Sequence, residues 1–301
     1  MNDRFANWGR LLRLSLSATA IGDVLAGSAL AGAGFTELPQ VGVLILASLG
    51  IYHGGMAFND WCDREHDAST RPERPIPCGA IPARTALLAA LGLFALGPVL
   101  AGFVHPLAAV HAVLLAGCAA LYDFKGRGPR LGPLLLGLCR FLNMTLPITA
   151  LGLDAGLGAG VLAAPALYAL YLFLLSKLGR LEDGEQNAVG SVSPRSLLFG
   201  LAAVFWVLPW LPVEGATTAG RGLALCVCFI ASVGLVRSGQ GLKSWQPSDV
   251  MAAMGCALRR MLPFSASVAF LVGTSFAMAA GVAILLLTPV SFWLRKVFPP
   301  S

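Results

Sequence analysis

Long uncharged stretches dominate this sequence of 301 residues. Residues 38–58, 85–122, 196–213 and 261–294 contain no Asp, Glu, Lys or Arg, and a transmembrane helix needs about 20 mostly apolar residues. Only 12% of the residues are charged and 56% are hydrophobic, which is too few charges to cover a water-soluble protein of this size. We therefore expect an all-α polytopic membrane protein, and the composition argues against disorder, coiled coils and nucleic-acid binding.

The apolar stretches suffice for nine spans in a single membrane-embedded domain covering residues 1–301. Residues 85–122 are too long for one crossing, and Pro98 and Pro106 predict a turn near residues 104–106. Residues 261–294 suit one long helix with an interfacial tail. The other expected spans are residues 14–36, 38–58, 131–153, 155–176, 196–213 and 222–236.

The basic residues predict the orientation of the chain. If the N-terminus is inside, the inner segments hold 17 of the 21 Lys and Arg residues, as expected for cytoplasmic loops. We therefore expect the N-terminus and the polar loops on the cytoplasmic side of a bacterial inner membrane. Arg295 and Lys296 are exceptions, because nine spans place them outside. The inner segments are residues 1–13, 59–84, 123–130, 177–195 and 237–260.

Regularly spaced polar residues end the second expected span. Asn59, Asp63 and Asp67 are four residues apart, with Asp60 beside them, so on a helix an amide and two carboxylates share one face. Such carboxylates repel each other unless a cation binds, and an oxygen-only set favours Mg²⁺, which usually shares its coordination with substrate phosphates. The pattern predicts a diphosphate bound through Mg²⁺. A polar loop without chemistry and a zinc site are the alternatives.

The segment after this cluster is rich in proline and arginine. Arg71 and Arg74 lie in the sequence RPERPIPCGAIP, where the prolines favour extended and turn structure. Both arginines are candidates for binding the diphosphate near the carboxylates. Anchoring of the loop by positive charge is the alternative.

The motif Asn59-x3-Asp63-x3-Asp67, followed by RPERPIPCGAIP, resembles the UbiA family of intramembrane prenyltransferases. The longer string YHGGMAFNDWCDREHDASTRPERPIPCGAIP and residues 131–144, LGPLLLGLCRFLNM, are most similar to the branch labelled EboC. The likeness in span count extends over nearly the whole chain. It implies nine helices around a central cavity, two aspartate-rich motifs, Mg²⁺, and transfer of a prenyl group from a prenyl diphosphate.

The second acidic motif departs from the pattern that this resemblance implies. The family typically has two aspartates four apart after the sixth span, where this chain has KLGRLEDGEQNAVG, with Leu181 at the first position. Either carboxylates at shifted positions bind a second Mg²⁺, or one metal is bound and basic residues neutralise the diphosphate directly. A degenerate, non-catalytic site is a third reading. The acidic candidates are Glu182, Asp183 and Glu185, and the basic candidates are Lys177 and Arg180.

The inner end of the fourth span supplies further candidates. The family usually has a Tyr and a Lys there, four residues apart, whereas Tyr122 and Lys125 are three apart. Both spacings share a helix face, so the resemblance implies that Lys125 is a catalytic residue contacting the diphosphate. Tyr122 and Arg127 are candidate diphosphate-binding residues, with charge anchoring as the alternative for the basic ones.

Two expected spans contain charged residues. A lone cation in hydrocarbon is costly, so Arg140 is expected to face a polar cavity or a buried carboxylate. Asn143 is three residues further on and shares its face, which makes both residues candidates for diphosphate binding. Asp23 is the natural partner of Arg140, or a catalytic residue that orients an acceptor or acts as a base.

Together these patterns predict a Mg²⁺-dependent enzyme that transfers a prenyl group, within the lipid bilayer, from a prenyl diphosphate to a lipophilic acceptor, aromatic acceptors included. The alternative is a carrier-like protein of the same fold that binds a prenyl diphosphate or a prenylated metabolite without catalysis. A membrane phosphotransferase acting on nucleotide-linked alcohols is disfavoured, because the D-G-x-x-A-R core of such enzymes is absent. The sequence identifies no protein partner.

Overall fold

The structure is a computed structural model that describes residues 3–124, 128–152, 159–181, 193–241 and 247–298. These residues form helices and their connections, without a strand. The α-helices are α1 (Asp3–Leu11), α2 (Ser17–Leu30), α3 (Leu38–Thr70), α4 (Ala83–Val104), α5 (Pro106–Phe124), α6 (Leu131–Leu151), α7 (Ala163–Gly179), α8 (Pro194–Val207), α9 (Thr218–Gly241), α10 (Pro247–Leu258), α11 (Met261–Val272) and α12 (Ser275–Val297).

The helices confirm the expected all-α membrane fold. Within the described part of the chain, eight helical segments are long and apolar enough to cross a membrane. Two shorter apolar segments, Leu14–Leu30 and Pro194–Trp210, add to them. The protein is therefore a multi-pass integral membrane protein.

The expected single helix over residues 261–294 is wrong. The chain breaks after α11 at Gly273, whose φ of 75° lies in the left-handed region that glycine adopts without strain. Thr274 then caps α12, because its side-chain oxygen accepts a hydrogen bond from the backbone N–H of Ala277. Two antiparallel helices replace the one that was expected, since a run of apolar residues does not show where a glycine reverses the chain.

This reversal also corrects the placement of the C-terminal basic residues. The ring of Phe298 lies 5.6 Å from the ring of Phe5 in α1, and the hydroxyl of Ser291 donates to the backbone oxygen of Ser15. The end of α12, with Arg295 and Lys296, therefore lies at the same end of the bundle as the N-terminal helix. The extra helix removes the exception to the charge bias.

Helix α2 lies at the centre of the bundle and packs against α3, α6, α11 and α12. It approaches α6 closely because Gly27 has no side chain: a Cβ there would overlap the backbone oxygen of Met144. Each helix from α3 to α9 packs against the next along the chain, and α11 packs against α9 and α12. The close approach brings the polar residues of α2 and α6 into contact.

Helix α3 is long enough to carry polar residues out of the membrane. Its 33 residues extend about 50 Å at 1.5 Å per residue, whereas the hydrocarbon core is about 30 Å thick. The helix ends at Thr70, two residues before Pro72, as expected because proline disfavours helix in the residue before it. The motif from Asn59 to Asp67 therefore lies near its polar end.

Candidate active site

A cavity of about 350 Å³ lies among α2, α3, α5 and α6, within the usual range of about 300–1,000 Å³ for small-molecule sites. Its walls are largely apolar, and include Leu16, Ile51 and Leu115. Polar residues are found towards both ends. Those that line the cavity are Arg13, Ser48, Tyr52, Asn59, Tyr122, Asp123, Arg140 and Asn143.

The polar residues Arg13, Asn59, Asp60 and Asp123 form what we call the mouth of the cavity. The side-chain amide of Asn59 donates to Asp123 Oδ1 at 2.9 Å. The guanidinium of Arg13 donates to Asn59 Oδ1 at 3.3 Å and to Asp60 Oδ1 at 3.1 Å. The mouth thus joins the short segment after α1, helix α3 and the end of α5.

Asp67 does not line this cavity, although it shares the expected helix face with Asn59. Its Oδ2 accepts a hydrogen bond of 2.6 Å from Arg74, whose same nitrogen lies 3.6 Å from Asp60 Oδ1. All three of these charged side chains are buried. Asp60 Oδ2 is also buried and has no hydrogen-bond partner among the described residues. Arg74 therefore neutralises carboxylates of α3, and Arg71 lies exposed at the end of that helix.

A second pocket of about 520 Å³ adjoins the mouth. Asp63 and Asp123 both line it, and Asp123 also lines the cavity. The pocket and the cavity therefore meet at Asp123. The other residues lining the second pocket are Trp61, Cys62, Arg64, Phe124 and Gly128.

The donors around Asp123 suit Mg²⁺. Over the described ranges no three His, Cys, Asp or Glu side chains form a metal-binding group. Asp63 and Asp123 line one pocket, however, and Asn59 contacts Asp123. The two carboxylates supply oxygen ligands, whereas Asn59 contacts Asp123 through its NH2 group and its oxygen accepts from Arg13. Mg²⁺ commonly takes one or two carboxylates while water and substrate phosphate fill its other positions. The residues present therefore fit this ion.

The end of α7 lies close to the second pocket. The guanidinium of Arg180 donates to the backbone oxygen of Gly128 at 3.0 Å, and Gly128 lines the pocket together with Asp63. The ammonium of Lys177 lies 4.9 Å from the ring centre of Phe173, and Leu181 packs against the large apolar core. The candidates Lys125, Arg127, Glu182, Asp183 and Glu185 lie outside the described residues.

A second polar cluster, Asp23, Arg140, Asn143 and Ser265, forms what we call the floor of the cavity. Arg140 donates to Asp23 Oδ2 at 2.9 Å, and Asn143 donates to the same oxygen at 3.2 Å. The hydroxyl of Ser265 donates to Asp23 Oδ1 at 3.1 Å. The structure therefore joins the pair proposed from the sequence, in α2 and α6, and adds a residue from α11.

The floor lies deep in the bundle. Ser48 donates to Asn143 Oδ1 at 2.6 Å and precedes Asn59 by 11 residues on α3, which is about 16 Å along the helix. The floor therefore lies far from the motif at the end of α3. Arg140 and Asn143 are correspondingly remote from Asp63, the residue with which they were expected to bind one diphosphate.

Sequence reasoning missed Arg13 and Asp123. Arg13 was counted only as a basic residue of the N-terminal segment. In the structure its backbone adopts φ 48° and ψ 50°, a left-handed conformation that is costly for a residue with a side chain. Asp123 was placed in an inner loop beside Tyr122 without a role. The expected topology puts the ends of the second and fourth spans on the same side of the membrane. This proximity could have indicated that Asp123 belongs to the same site as Asn59.

These features define a class: a helical membrane protein with an intramembrane cavity and an acidic, arginine-paired mouth. Residues 21–261 match the UbiA prenyltransferase family. The chain belongs to this family, as its motif had indicated, and the likeness to the EboC branch stays a prediction.

Named relatives of the chain include two prenyltransferases. Digeranylgeranylglyceryl phosphate synthase of Methanopyrus kandleri is 32% identical over 190 residues, which cover 60% of this chain and 63% of that protein. The 4-hydroxybenzoate octaprenyltransferase of Idiomarina loihiensis is 27% identical over 201 residues, 62% of this chain and 70% of that protein. The matched part thus spans just under two thirds of the Methanopyrus protein.

Solved structures share the fold over a larger part of the chain. A UbiA homolog from Archaeoglobus fulgidus bound to DMAPP and Mg²⁺ has a TM-score of 0.62 at 14% identity, covering 93% of this chain and 99% of that one. The apo structure of a UbiA homolog from Aeropyrum pernix K1 has a TM-score of 0.62 at 18% identity, covering 84% and 96%. Identities this low show the common fold.

Proposed function

We propose that the protein transfers a prenyl group from a prenyl diphosphate to a lipophilic acceptor, in a Mg²⁺-dependent reaction at the mouth of the cavity. The observation that carries this proposal is the meeting of two compartments at Asp123. One is a polar pocket lined by Asp63, and the other is a largely apolar cavity inside the bundle. A prenyl diphosphate has the same division into an anionic head and an apolar chain.

Two arginines, one in the mouth and one beside it, make the binding of an anionic head there electrostatically feasible. Arg13 and Arg74 pair with Asp60, and Arg74 also pairs with Asp67. Their charges offset the carboxylates that would otherwise repel a diphosphate. Asp63 and Asp123, with Asn59, are the residues proposed to bind Mg²⁺.

Prenyl transfer requires stabilisation of the negative charge that develops on the departing diphosphate. Bound Mg²⁺ would supply positive charge to the oxygens on which negative charge grows. Arg180, at the edge of the pocket, is a candidate for contacting the same oxygens. The apolar walls exclude water, which would otherwise capture the activated prenyl group.

The finer features of the proposal come from the sequence. Lys125 and Arg127 stay candidates for contacting the diphosphate, and Glu182, Asp183 and Glu185 stay candidates for a second metal. The position of 17 of the 21 Lys and Arg residues supports a mouth that faces the cytoplasm. A bacterial inner membrane is the proposed location.

The proposal is tested with the purified full-length protein in lipid nanodiscs. Prenyl diphosphates of increasing chain length are incubated with and without Mg²⁺ and a total lipid extract, and the release of diphosphate and the prenylated product are measured. We expect release that needs Mg²⁺ and is strongly reduced in Asp63→Asn but kept in Glu65→Gln, a matched change at an exposed carboxylate of the same helix. Full activity of Asp63→Asn would contradict the proposal.

A carrier-like function is the second candidate. The observation that favours it is Leu181, which replaces the first acidic residue of the second family motif and packs against the apolar core. Tight binding of a prenyl diphosphate without release, over long incubation with Mg²⁺ and the lipid extract, would support this function. Product formation in the same assay would exclude it.

A further inference from the structure

A narrow cleft lies where α2, the junction of α10 and α11, and α12 meet. We call it the arginine cleft. Its volume is about 20 Å³, and about 10–15 Å³ is enough for one water-sized group. Leu258, at the end of α10, lines both this cleft and the cavity, so the two are neighbours. The polar residues that line the arginine cleft are Thr19, Arg259, Thr288, Ser291 and Arg295.

The two arginines of this cleft have charges that the described part of the chain does not neutralise. Arg259 is exposed and Arg295 is partly buried. Neither guanidinium forms an ion pair or a hydrogen bond with another described residue. Arg13 and Arg140, which line the cavity, differ in this respect, because each is paired with a carboxylate. Two like charges that face one cleft repel each other, and an anion bound between them removes this repulsion.

One face of α12 places hydroxyl groups beside these charges. Thr288, Ser291 and Arg295 are three and four residues apart, so they share a helix face. The hydroxyl of Ser291 donates to the backbone oxygen of Ser15, which holds this face against the chain at the start of α2. The hydroxyl of Thr288 has no hydrogen-bond partner among the described residues and is available as a donor. Two guanidinium groups and a hydroxyl are donors that suit a phosphate.

The arginine cleft lies at the depth of lipid head groups. Trp293 and Lys296 flank Arg295 on α12 and are both exposed, and such aromatic and basic residues are typical of the boundary between membrane and water. Leu286 and Val290, which precede them on the helix, are exposed and apolar. An anion in the cleft can therefore continue into acyl chains that lie along α12.

We infer that the arginine cleft binds a membrane lipid whose head is a phosphate monoester. Such a head has a charge of about −1.5 to −2 at pH 7, which balances the two arginines, whereas a phosphodiester has a single negative charge. Its bare oxygens also fit a cleft of about 20 Å³, which excludes a larger esterified head group. The site is separate from the mouth, and the inference does not depend on prenyl transfer.

The test measures the binding of four probes to the purified full-length chain by native mass spectrometry, in neutral detergent with EDTA. The probes are dioleoyl phosphatidate, dioleoyl phosphatidylglycerol, dioleoyl phosphatidylcholine and inorganic phosphate. We expect one phosphatidate per chain, bound at least about fivefold more tightly than each other probe, the effect of roughly one more charge pair at a membrane surface. Equal binding of either other lipid would overturn the monoester head, and equal binding of inorganic phosphate would overturn the lipid.

Substitutions show where the phosphatidate binds. Arg259→Gln and Arg295→Gln should each weaken its binding at least about fivefold. Lys296→Gln is the control, because it removes an exposed charge beside Arg295 that does not line the cleft, and it should leave the affinity nearly unchanged. Equal losses in Lys296→Gln and Arg295→Gln would show general attraction to a basic surface and overturn the inference.

Two further variants keep the test independent of folding. Thermal unfolding identifies the variants that fold, and Arg259→Gln changes an exposed side chain. If Arg295→Gln does not fold, Arg259→Gln and Thr288→Val decide. Thr288→Val keeps the shape of the side chain and removes one hydroxyl donor, so it should weaken phosphatidate binding about threefold. Unchanged affinity in both variants would overturn the inference.

Arg13→Ala distinguishes the arginine cleft from the mouth. Without Mg²⁺, this change should leave phosphatidate binding intact, because Arg13 lies in the mouth and does not line the arginine cleft. If Arg13→Ala weakens the binding and Arg259→Gln does not, the phosphate binds at the mouth and the inference is wrong. Diphosphate release from a prenyl diphosphate is measured separately, and its absence would count against prenyl transfer alone.

Discussion

The mouth and the floor of the cavity both pair arginine with aspartate, but they satisfy these charges differently. At the floor, Asp23 is fully enclosed and both of its oxygens accept hydrogen bonds. At the mouth, the side chain of Arg13 is 26% exposed, and Asp60 shares Arg74 with Asp67 while its Oδ2 has no partner in the described part of the chain. The hydrogen bonds of the floor are complete, whereas the mouth retains a carboxylate oxygen without a partner, which an added ion or ligand could contact.

This difference assigns separate roles to the two clusters. An incompletely bonded, partly exposed cluster can rearrange around a metal and an anionic group at modest cost. A completed and buried network fixes side-chain positions and loses more when one member is removed. We therefore expect changes at the floor to affect stability first and changes at the mouth to affect activity first.

The largest effect is expected for Asp23→Ala. Breaking a buried pair by removing one partner costs about 3–5 kcal/mol, because Arg140 is left as a buried charge without compensation. Thermal unfolding in detergent, with Glu65→Ala as the control at an exposed carboxylate, measures this loss. The double change Asp23→Ala with Arg140→Ala should cost less than the sum of the two single changes, and additivity would show that the pair is not coupled.

The next effect is expected for Asp63→Asn, in the pocket that adjoins the mouth. We expect diphosphate release to fall on the order of a hundredfold, because even indirect partners of metal ligands contribute ten- to a hundredfold, while thermal stability changes little. The Mg²⁺ concentration for half-maximal rate should rise, and Asp123→Asn should behave in the same way. A stability loss as large as that of Asp23→Ala would contradict the division between mouth and floor.

A smaller effect is expected for Arg13, where backbone and side chain are separated by two substitutions. Arg13→Ala and Arg13→Gly both remove the contacts to Asn59 and Asp60, so both should raise the KM for a prenyl diphosphate. The glycine variant should be more stable than the alanine variant by about 1 kcal/mol, because the left-handed backbone at this position costs residues with a side chain about 1–2 kcal/mol. Thermal unfolding compares the two, and equal stability would remove the argument from strain.

The smallest effect on activity is expected for Ser265→Ala. It removes one neutral donor from Asp23 Oδ1 and leaves the pair with Arg140 in place, so we expect a loss of stability of about 1.5 kcal/mol, at the lower end of the range for hydrogen bonds to a charged group. Diphosphate release should change by less than the effect of Asp63→Asn. A loss of stability equal to that of Asp23→Ala would mean that the hydroxyl, rather than the arginine, stabilises Asp23.

Local spacing in the sequence explains part of the candidate site. Asn59 and Asp63 lie where a four-residue repeat on a helix places them, near the polar end of α3. Asp67 continues the repeat but faces Arg74, because the segment after α3 folds back onto that helix. The turn there includes Gly79, whose φ of 78° lies in the left-handed region that glycine adopts without strain.

The other contacts of the site cannot be predicted from residue spacing, because they join positions far apart in the sequence. Arg13 meets Asp60 across 47 positions of sequence, Asn59 meets Asp123 across 64, and Arg140 meets Asp23 across 117. The cost of a buried arginine indicated that Arg140 needs a partner, which made Asp23 a reasonable candidate. No such argument pointed to Arg13, because a basic residue outside the apolar stretch is fully explained by the charge bias of the loops.

The sequence by itself determined the all-helical membrane fold, the family and the acidic motif at the end of α3. The bilayer imposes a minimum length of apolar helix, and a helix imposes its own repeat, so both can be read along the chain. Only the tertiary structure decided that α11 and α12 are separate, that Arg74 faces Asp67, and that Arg13 and Arg140, the arginines lining the cavity in the described part of the chain, are paired. These features depend on which helices pack together, and the pairing of charges across helices follows that packing rather than the order of residues.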